Sequence, residues 1–224
     1  MTARDRLERS PRRLALAGAG VAVLLAVGLG VLIALRPLEL DAEWMDEIVE
    51  NRIPVLQTVS LVFDFLGGGW FGVFVVPLGI AGAFLLARRP WSAGVFVLGS
   101  AVSSGVVQLM KVLFGRERPE QILLPLESGS FPSGHTANAA TVVVLLALLL
   151  RRRWIVAAGA LYIVLMALSR TYLGAHWVTD TVGGVLVGAG MAVLVWVLFA
   201  RRLRTEREAR QGGDAASTGS RLTA

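Results

Sequence analysis

Two short polar runs, each built around one of the two histidines of the chain, hold the residues best suited to chemistry. His176 and Asp180 are four residues apart, which places them on one face of a helix, one turn apart. Asp180 can accept a hydrogen bond from one ring nitrogen of His176, so the tautomer is fixed and the other nitrogen is free to attack phosphorus. His135, in the other run, could then protonate the leaving alkoxide as a general acid.

Three cations near these runs fit the charge of a phosphoryl group. Lys111, Arg118 and Arg170 are fixed positive charges, suited to the equatorial oxygens over which negative charge spreads in the transition state. Arginine adds a planar fork that binds two oxygens at once. Ser133 and Gly134 come where a helix begins, so their backbone N–H groups can bind an anion that glycine allows to approach closely.

The same residue types have other interpretations. A lone histidine at a membrane interface is most often a polar anchor, and an arginine at a helix end, such as Arg116, commonly extends to the lipid headgroups. The two histidines and Asp180 could form a metal triad, but the neighbouring cations repel a divalent ion, so we expect no metal and no other cofactor. The chain has no cysteine, which excludes disulfides, zinc–thiolate sites and thiol nucleophiles.

The composition predicts a membrane protein. The chain is 55% hydrophobic and 17% charged, whereas a soluble domain carries about 25% charged residues. A spanning helix needs roughly 20 mainly apolar residues. The predicted fold is therefore all-α, a bundle of six transmembrane helices over the uncharged runs 14–35, 65–87, 90–110, 136–150, 154–169 and 181–200. The fourth and fifth runs reach full length only if His135 and Arg170 lie at the membrane edge or in a shielded interior.

A polar segment, 41–64, separates the first two spans. Its apolar residues recur at roughly helical spacing, with Pro54 interrupting, which favours an amphipathic helix or helix pair on the outer surface. A cap over the bundle fits the pattern equally well. We interpret 14–35 as a retained anchor rather than a signal peptide, because no small-residue cleavage site follows it. The expected boundaries are a cytoplasmic tail at 1–13, a membrane domain at 14–202 and a disordered cytoplasmic tail at 203–224.

Basic residues mark the expected cytoplasmic side. With both termini in the cytoplasm, the inner segments hold 16 of the 22 Lys and Arg residues and 5 of the 16 acidic residues. This asymmetry follows the positive-inside rule for a multi-pass plasma-membrane protein, and it places both histidine runs on the extracytoplasmic face. The net charge of +6 fits a bilayer partner better than nucleic acid, because the arginines lie in short clusters between apolar runs. The sequence leaves the oligomeric state unknown.

Three motifs together resemble the signature of the type 2 phosphatidic acid phosphatase superfamily, which also contains the vanadium haloperoxidases. The family pattern is Lys, six residues, Arg-Pro; then Pro-Ser-Gly-His; then Ser-Arg, five residues, His, three residues, Asp. The chain matches every fixed position, namely Lys111, Arg118, Pro119, Pro132, Ser133, Gly134, His135, Ser169, Arg170, His176 and Asp180. The resemblance covers the chain from about the second predicted span to the end of the sixth.

The resemblance implies a role for each matched residue. His176 would be the nucleophile, held by Asp180, and His135 the acid that releases the lipid alcohol. The residues that would bind the substrate phosphate are Lys111, Arg118, Ser133, Gly134 and Arg170. The resemblance also implies a six-helix membrane enzyme that needs no metal and has an outward-facing site.

The expected function is therefore a membrane lipid phosphatase that acts through a phosphohistidine. Its substrate would be undecaprenyl pyrophosphate, phosphatidic acid or phosphatidylglycerol phosphate. A polyprenyl pyrophosphate is slightly favoured, because recycling that carrier is a recurring task of small bacterial family members. The alternative is a non-catalytic protein that binds or translocates anionic lipids, but simple anion binding needs neither an acid nor a nucleophile. Haloperoxidase chemistry is disfavoured because those relatives are soluble.

Overall fold

The computed structural model describes residues 3–126 and 129–221, and over these residues the chain is helical with no strand. A single π-helical turn interrupts the chain of α-helices. The elements, in order, are α1 (Ala3–Leu35), α2 (Glu39–Glu50), α3 (Pro54–Gly67), the π turn (Phe71–Val75), α4 (Val76–Leu86), α5 (Pro90–Phe114), α6 (Gly134–Leu150), α7 (Arg153–Tyr172), α8 (Val178–Leu198) and α9 (Ala200–Arg221).

Several of these helices are long and apolar enough to cross a membrane. Among the described residues, four meet that test alone: Arg12–Leu35 within α1, and α5, α7 and α8. A fifth candidate is α3 together with Phe71–Leu86, a pair that bends by 45° at a short break. Helix α6 is apolar but has 17 residues, fewer than the roughly 20 that cross a hydrocarbon core. The all-helical fold with four to five candidate spans is confirmed, and the count of six stays a prediction.

The predicted second span is wrong in its start and in its continuity. The sequence predicts an unbroken helix over 65–87, but α3 ends at Gly67 and the helix resumes only after a break. Gly69 has a φ of +56°, a left-handed conformation that favours glycine and interrupts the helix. The Asn138 amide of α6 donates to the carbonyls of Gly67 and Gly72 at 3.1 and 2.9 Å. These bonds satisfy backbone oxygens that the break leaves without helical partners.

The polar segment after α1 forms two helices, α2 and α3, in line with the spacing of its apolar residues. Pro54 begins α3, at a position where its missing N–H has no intrahelical partner to lose. The Tyr172 hydroxyl of α7 accepts a hydrogen bond from Ile53 N at 2.6 Å and donates to Ile53 O at 3.1 Å, which fastens the junction. Helix α2 buries Asp41 and Met45 and contacts α7 and α8. Its position at the membrane surface stays a prediction.

Close backbone contacts between α6 and α8 form the centre of the bundle. A methyl group added at Gly188 would lie 2.2 Å from the Ala137 carbonyl oxygen, and one at Gly184 would lie 2.6 Å from the Ser133 carbonyl oxygen. Small residues four apart on a helix allow this approach, and any side chain would force the two backbones apart. These contacts therefore fix the first turns of α6 against the first turns of α8, where the two histidine runs lie.

The helices meet at two ends of the bundle that differ in chemistry. The histidine end comprises the C-termini of α5 and α7 and the N-termini of α6 and α8, and it contains His135 and His176. The arginine end comprises the α4–α5 turn, the α6–α7 turn and α9, and it contains Arg88, Arg89, Arg151, Arg152 and Arg153. Helix α6 runs from one end to the other, a length of about 25 Å at 1.5 Å per residue.

The C-terminal segment differs from the predicted disordered tail at 203–224. Residues from Ala200 to Arg221 form α9, and residues 222–224 lie outside the described residues. Arginine, glutamate and alanine favour a helix, and Arg204 pairs with Glu208 one turn later at 3.8 Å. Contacts from Glu206 and Arg210 to the α4–α5 turn hold α9 against the bundle. Composition alone misses these contacts, because they join segments more than 100 residues apart.

Candidate active site

A cavity of about 390 Å³ opens at the histidine end, between α5, α6 and the break after α3. It brings together most of the residues predicted from the sequence, which come from separate stretches of the chain. Those that line it are Lys111, Arg118, Gly134, His135, Arg170 and His176. The expected convergence of the three motifs therefore holds in the structure.

The three predicted cations are held by backbone carbonyls and by one carboxylate. Lys111 Nζ donates to Gly129 O, and Arg118 Nη1 donates to Ala175 O. Arg170 is fully buried, and its Nη1 donates to an Asp64 oxygen. Its Nε and Nη2 are also buried, yet they have no hydrogen-bond partner within the described residues. Buried charged donors without partners are costly, so the site is built to receive an anion with several oxygens.

His176 and Asp180 lie side by side, as their spacing predicts. His176 Nδ1 is 3.5 Å from Asp180 Oδ2, and no described residue gives Nδ1 a closer hydrogen bond. Hydrogen bonds of this kind shorten in the complex with substrate. On the other side of the ring, His176 Nε2 lies 3.4 Å from Arg118 Nη1. The geometry therefore directs Nδ1 to the carboxylate and Nε2 to Arg118.

Burial determines the charge state of His176. Its side chain is almost completely buried, and this burial lowers the pKa of the imidazole to about 3, although the Asp180 carboxylate acts in the opposite direction. Removal from water disfavours the charged form of a histidine. His176 is therefore neutral at physiological pH, with a lone pair available at Nε2. Burial also lowers the pKa of the Arg118 guanidinium, with a further contribution from nearby Arg170.

Arg116 pairs with the carboxylate beside His176 and does not extend towards the headgroups, contrary to the expectation for an arginine at a helix end. Its Nη1 donates to Asp180 Oδ1 at 2.6 Å and to Thr179 Oγ1 at 2.8 Å. Its Nη2 donates to Asp41 Oδ2 at 2.7 Å. Asp41 is buried and also accepts from the backbone N–H of Thr179 at 3.0 Å. The sequence reasoning missed this network because the partners of Arg116 lie on α2 and α8, far away along the chain.

The Asp180 carboxylate is thus held from three directions. Arg116 occupies Oδ1, while Oδ2 accepts the backbone N–H of Trp177 at 2.9 Å and faces His176. A carboxylate near the N-terminus of α8 is also favoured by the helix dipole. Together these contacts satisfy a fully buried charge and leave one oxygen directed at the imidazole.

His135 has a carboxylate neighbour that the sequence reasoning did not identify. Its Nε2 lies 3.1 Å from both the carbonyl oxygen and Oδ1 of Asp64. Asp64 Oδ1 also accepts from Arg170, so one carboxylate joins the two residues. No bond to His135 Nδ1 is present within the described residues, which leaves this nitrogen for a ligand. The signal available in the sequence was Arg170 itself, since a buried guanidinium requires a carboxylate partner.

The start of α6 differs in part from the expected anion site. The backbone N–H of Ser133 donates to Asp180 O at 2.9 Å, so it is not available to an anion. The Ser133 hydroxyl accepts from Thr136 N at 3.5 Å and caps the helix. Gly134 lines the cavity, and an added methyl group there would touch only Val107, at 3.7 Å. Phosphate binding by Ser133 and Gly134 stays a prediction, and Gly134 is the better placed of the two.

The glycines at the break after α3 form the wall opposite α6. A methyl group added at Gly68 would lie 2.1 Å from His135 Nε2, so only glycine allows the imidazole to reach Asp64. Gly67 and Gly69 also line the cavity. Gly68 therefore makes room for the histidine, whereas a methyl group added at Gly67 would first meet Met166 and one at Gly69 would meet nothing within 4 Å.

The described residues contain no cluster of three or more His, Cys, Asp or Glu side chains that could hold a metal ion. Asp64 and Asp180 are each satisfied by an arginine, and the cavity wall between them is cationic. This donor set favours an anion over a divalent cation. The expected independence of metals stays a prediction.

Comparison with known proteins gives concordant matches. A sequence profile of the PAP2 superfamily matches residues 92–204. Phosphatidylglycerophosphatase B of Bacillus subtilis (strain 168) is 31% identical over 154 residues, which cover 64% of this chain and 75% of that protein. Undecaprenyl-diphosphatase of Sulfolobus acidocaldarius is 30% identical over 152 residues, which cover 64% of this chain and 71% of that protein.

A solved structure matches over most of the chain. The crystal structure of a transmembrane PAP2-type phosphatidylglycerolphosphate phosphatase from Bacillus subtilis gives a TM-score of 0.73 at 26% identity. The match covers 82% of this chain and 96% of that one. The relatives that the chain resembles are therefore lipid phosphatases, and the structural neighbour is a membrane protein.

Proposed function

The chain belongs to the PAP2 superfamily, and from this premise we propose that it is a membrane enzyme that removes phosphate from a lipid through a phosphohistidine on His176. The observation that carries the proposal is the cavity in which two imidazoles and three cations meet. Each imidazole has its own carboxylate, Asp180 for His176 and Asp64 for His135. A protein that only binds anions needs the cations but not two carboxylate–histidine pairs.

The first half of the reaction transfers the phosphoryl group to the enzyme. Asp180 accepts a hydrogen bond from Nδ1–H of His176, which fixes the tautomer with a lone pair on Nε2. Nε2 attacks phosphorus, the N–P bond forms, and the P–O bond to the lipid breaks. The leaving oxygen takes a proton from Nδ1 of His135, while its Nε2–H stays bonded to Asp64. The products are phosphohistidine and the lipid alcohol, or a lipid monophosphate when the substrate is a pyrophosphate.

The second half returns the enzyme to its starting state. His135, now neutral, accepts a proton from water, whose oxygen attacks the phosphohistidine. The N–P bond breaks, inorganic phosphate leaves, and the lone pair returns to Nε2 of His176. Each residue thus ends the cycle in the protonation state in which it began.

Charge stabilisation is the main contribution of the cations. The unpartnered Nε and Nη2 atoms of Arg170 can bind two phosphoryl oxygens, and Lys111 and Arg118 supply further donors. Loss of one such donor typically costs about 3 kcal/mol of transition-state stabilisation. Asp64 acts as a positioning residue: its negative charge orients Arg170 and favours the protonated form of His135.

The proposed substrates are lipid phosphates, and the relatives point to more than one kind. The matched proteins are named for a phosphatidylglycerophosphate and for undecaprenyl diphosphate. Undecaprenyl pyrophosphate, phosphatidic acid and phosphatidylglycerol phosphate are therefore all candidates. A panel of purified mono- and pyrophosphate lipids, compared by kcat/KM for phosphate release, separates them.

We further propose a six-span topology with both termini in the cytoplasm and the histidine end outside. Three observations support it. The first two are the positive-inside asymmetry and the position of the arginine end opposite the cavity. The third is that α6 has an ionisable residue at each end, His135 at its start and Arg151 directly after its last residue. Selective labelling of single cysteines placed at Glu120 and Arg88, with a membrane-impermeant reagent on intact cells, tests this orientation. Labelling at Arg88 and protection at Glu120 would reverse it.

The function itself is tested with purified protein in detergent that contains a chelator. We expect phosphate release from lipid phosphates and inhibition by vanadate, which mimics pentacoordinate phosphorus. His176→Ala should lose nearly all activity while retaining binding of the lipid phosphate. Full activity in that variant rejects the nucleophile, and binding without turnover by the unmodified protein favours the non-catalytic alternative.

A further inference from the structure

A second cavity, of about 480 Å³, lies at the arginine end, between the α6–α7 turn and α9. Four arginines line it: Arg89, Arg152, Arg207 and Arg210. No carboxylate is among its described lining residues. It lies at the C-terminus of α6, whereas the candidate active site lies at the N-terminus of the same helix, which is about 25 Å long.

The nearest carboxylate, Glu206, offsets the charge of this cluster only in part, because it also binds the start of α5. Glu206 of α9 accepts hydrogen bonds from Trp91 N at 2.6 Å and Ser92 N at 3.2 Å, the free N–H groups at the start of α5. It also accepts from the Ser92 hydroxyl. Arg89 Nε lies 3.9 Å away from it, at the limit of an ion pair. The negative charge of Glu206 thus serves the helix N-terminus and fixes α9 in place.

Backbone carbonyls position two of the arginines, and Glu206 is the one described carboxylate within ion-pair distance of any of the four, at Arg89. Arg89 Nη2 donates to Leu149 O at 2.9 Å, and Arg210 Nη1 donates to Ala87 O at 2.9 Å. The side chains of Arg152 and Arg207 make neither a hydrogen bond nor an ion pair within the described residues. Burial, and then the like charges of Arg151 and Arg89, lower the pKa of Arg207, although Glu206 acts in the opposite direction. Clustered positive charges of this kind are relieved by an anion.

One wall of the cavity is apolar and continues onto the outside of the bundle. Leu150 and Trp154 line it, and Trp154 is 69% exposed. Tryptophan at the end of a spanning helix, as Trp154 is in α7, is typical of the headgroup level of a bilayer. A ligand that fits both walls carries a phosphate for the guanidinium groups and hydrocarbon for Trp154. Free phosphate satisfies only the first of these requirements.

We propose that this cavity is a binding site for the headgroup of an anionic phospholipid, in the leaflet opposite the active site. The lipid is bound and not cleaved, because the described cavity has no histidine or other nucleophile in its wall. Its phosphate bridges α9 to the α6–α7 turn, with its chains against Trp154. This proposal does not depend on which face of the membrane the arginine end occupies.

The test is a titration of purified protein in detergent with phosphatidylglycerol, followed by native mass spectrometry. This lipid is a phosphodiester, so it lacks the terminal phosphate that the active site is proposed to remove. The double variant Arg152→Gln/Arg207→Gln removes two guanidinium groups from the cavity. The control, Arg153→Gln/Arg201→Gln, removes two exposed arginines that do not line it. Phosphatase activity should be unchanged in both variants.

We expect the cavity variant to bind phosphatidylglycerol about thirtyfold more weakly, and the control to bind it normally, because each arginine near anionic lipid contributes a factor of roughly five. Equal losses in both variants would mean general attraction to a basic surface. No loss in either would remove the site. Phosphatidylcholine should not compete, and competition by glycerol phosphate as strong as that by the intact lipid would assign the cavity to a soluble anion instead.

Discussion

Replacing Asp64 with asparagine removes the negative charge that His135 and Arg170 share, with almost no change in side-chain shape. The new amide would still offer an oxygen to His135 Nε2, which lies 3.1 Å from the carboxylate. It would no longer favour the protonated imidazole, and it would leave the fully buried guanidinium of Arg170 without a counter-charge. The substitution Asp64→Asn therefore separates the effect of charge from the effect of hydrogen bonding.

The expected magnitudes follow from burial. Breaking a buried ion pair costs about 3–5 kcal/mol of folding free energy. The Asp64 side chain is 29% exposed, so water screens part of this interaction, and we expect a loss nearer to about 1–2 kcal/mol. A general acid contributes about 10²–10⁴-fold to the rate. Because the oxygen acceptor is retained, we expect Asp64→Asn to lower kcat about thirtyfold for a substrate that needs the acid.

The assay compares two phosphate monoesters that differ in the leaving group. An alkyl ester leaves as an alkoxide and needs a proton from His135, whereas a p-nitrophenyl ester leaves as a stabilised anion and does not. Any effect that acts through Arg170 alone changes both reactions alike. We therefore expect Asp64→Asn to slow the alkyl ester at least about tenfold more than the aryl ester.

The matched control is Asp46→Asn, which removes the same charge from an exposed position on α2. Both substrates should react at the unmodified rate in this variant. Equal slowing of the two esters by Asp64→Asn would assign Asp64 to phosphate binding only. Unchanged rates with both esters would show that the carboxylate has no part in the reaction.

Three further perturbations test other parts of the fold and the site. Gly188→Ala should lower the free energy of unfolding by about 1–3 kcal/mol, because the added methyl group meets the backbone of α6. The control Gly79→Ala should not lower it, because a methyl group there has no neighbour within 4 Å. Thermal melting in detergent measures both variants. Arg116→Gln should lower kcat and thermal stability, because it leaves the buried carboxylate beside His176 without its cation, and an unchanged kcat would remove Arg116 from the site. His176 should stay neutral at pH 5 in ¹⁵N NMR of a His135→Asn sample. The free energy of unfolding should fall as the pH drops from about 6.5 towards about 3, because in this range His176 binds a proton in the unfolded chain but not in the folded one.

The sequence predicts the motif residues and their meeting place well, for physical reasons. The spacing of His176 and Asp180 is local, so a single helical turn is enough to bring them together. The other motifs lie where apolar runs begin or end, and ends on the same side of a membrane are necessarily close. Length and polarity therefore predict which residues share the histidine end, even though they do not predict any distance.

The parts that the sequence does not predict are contacts between distant segments. Asp64 and Asp41 look like ordinary acids of an amphipathic segment, and only the packing of α2 and α3 brings them to Arg170 and Arg116. The break after α3 is hidden in an uncharged run, because hydropathy does not register that Gly68 must make room for His135. Single-residue properties carry no information about such pairs.

The stereochemical course at phosphorus tests the central claim most directly. A lipid thiophosphate made chiral with oxygen isotopes is hydrolysed by the purified enzyme in isotopically labelled water, and the configuration of the inorganic thiophosphate is read by ³¹P NMR. Attack by His176 followed by attack by water gives two inversions, so retention of configuration is expected. Net inversion means that water attacks the lipid directly, and it would contradict the phosphohistidine and the role assigned to His176.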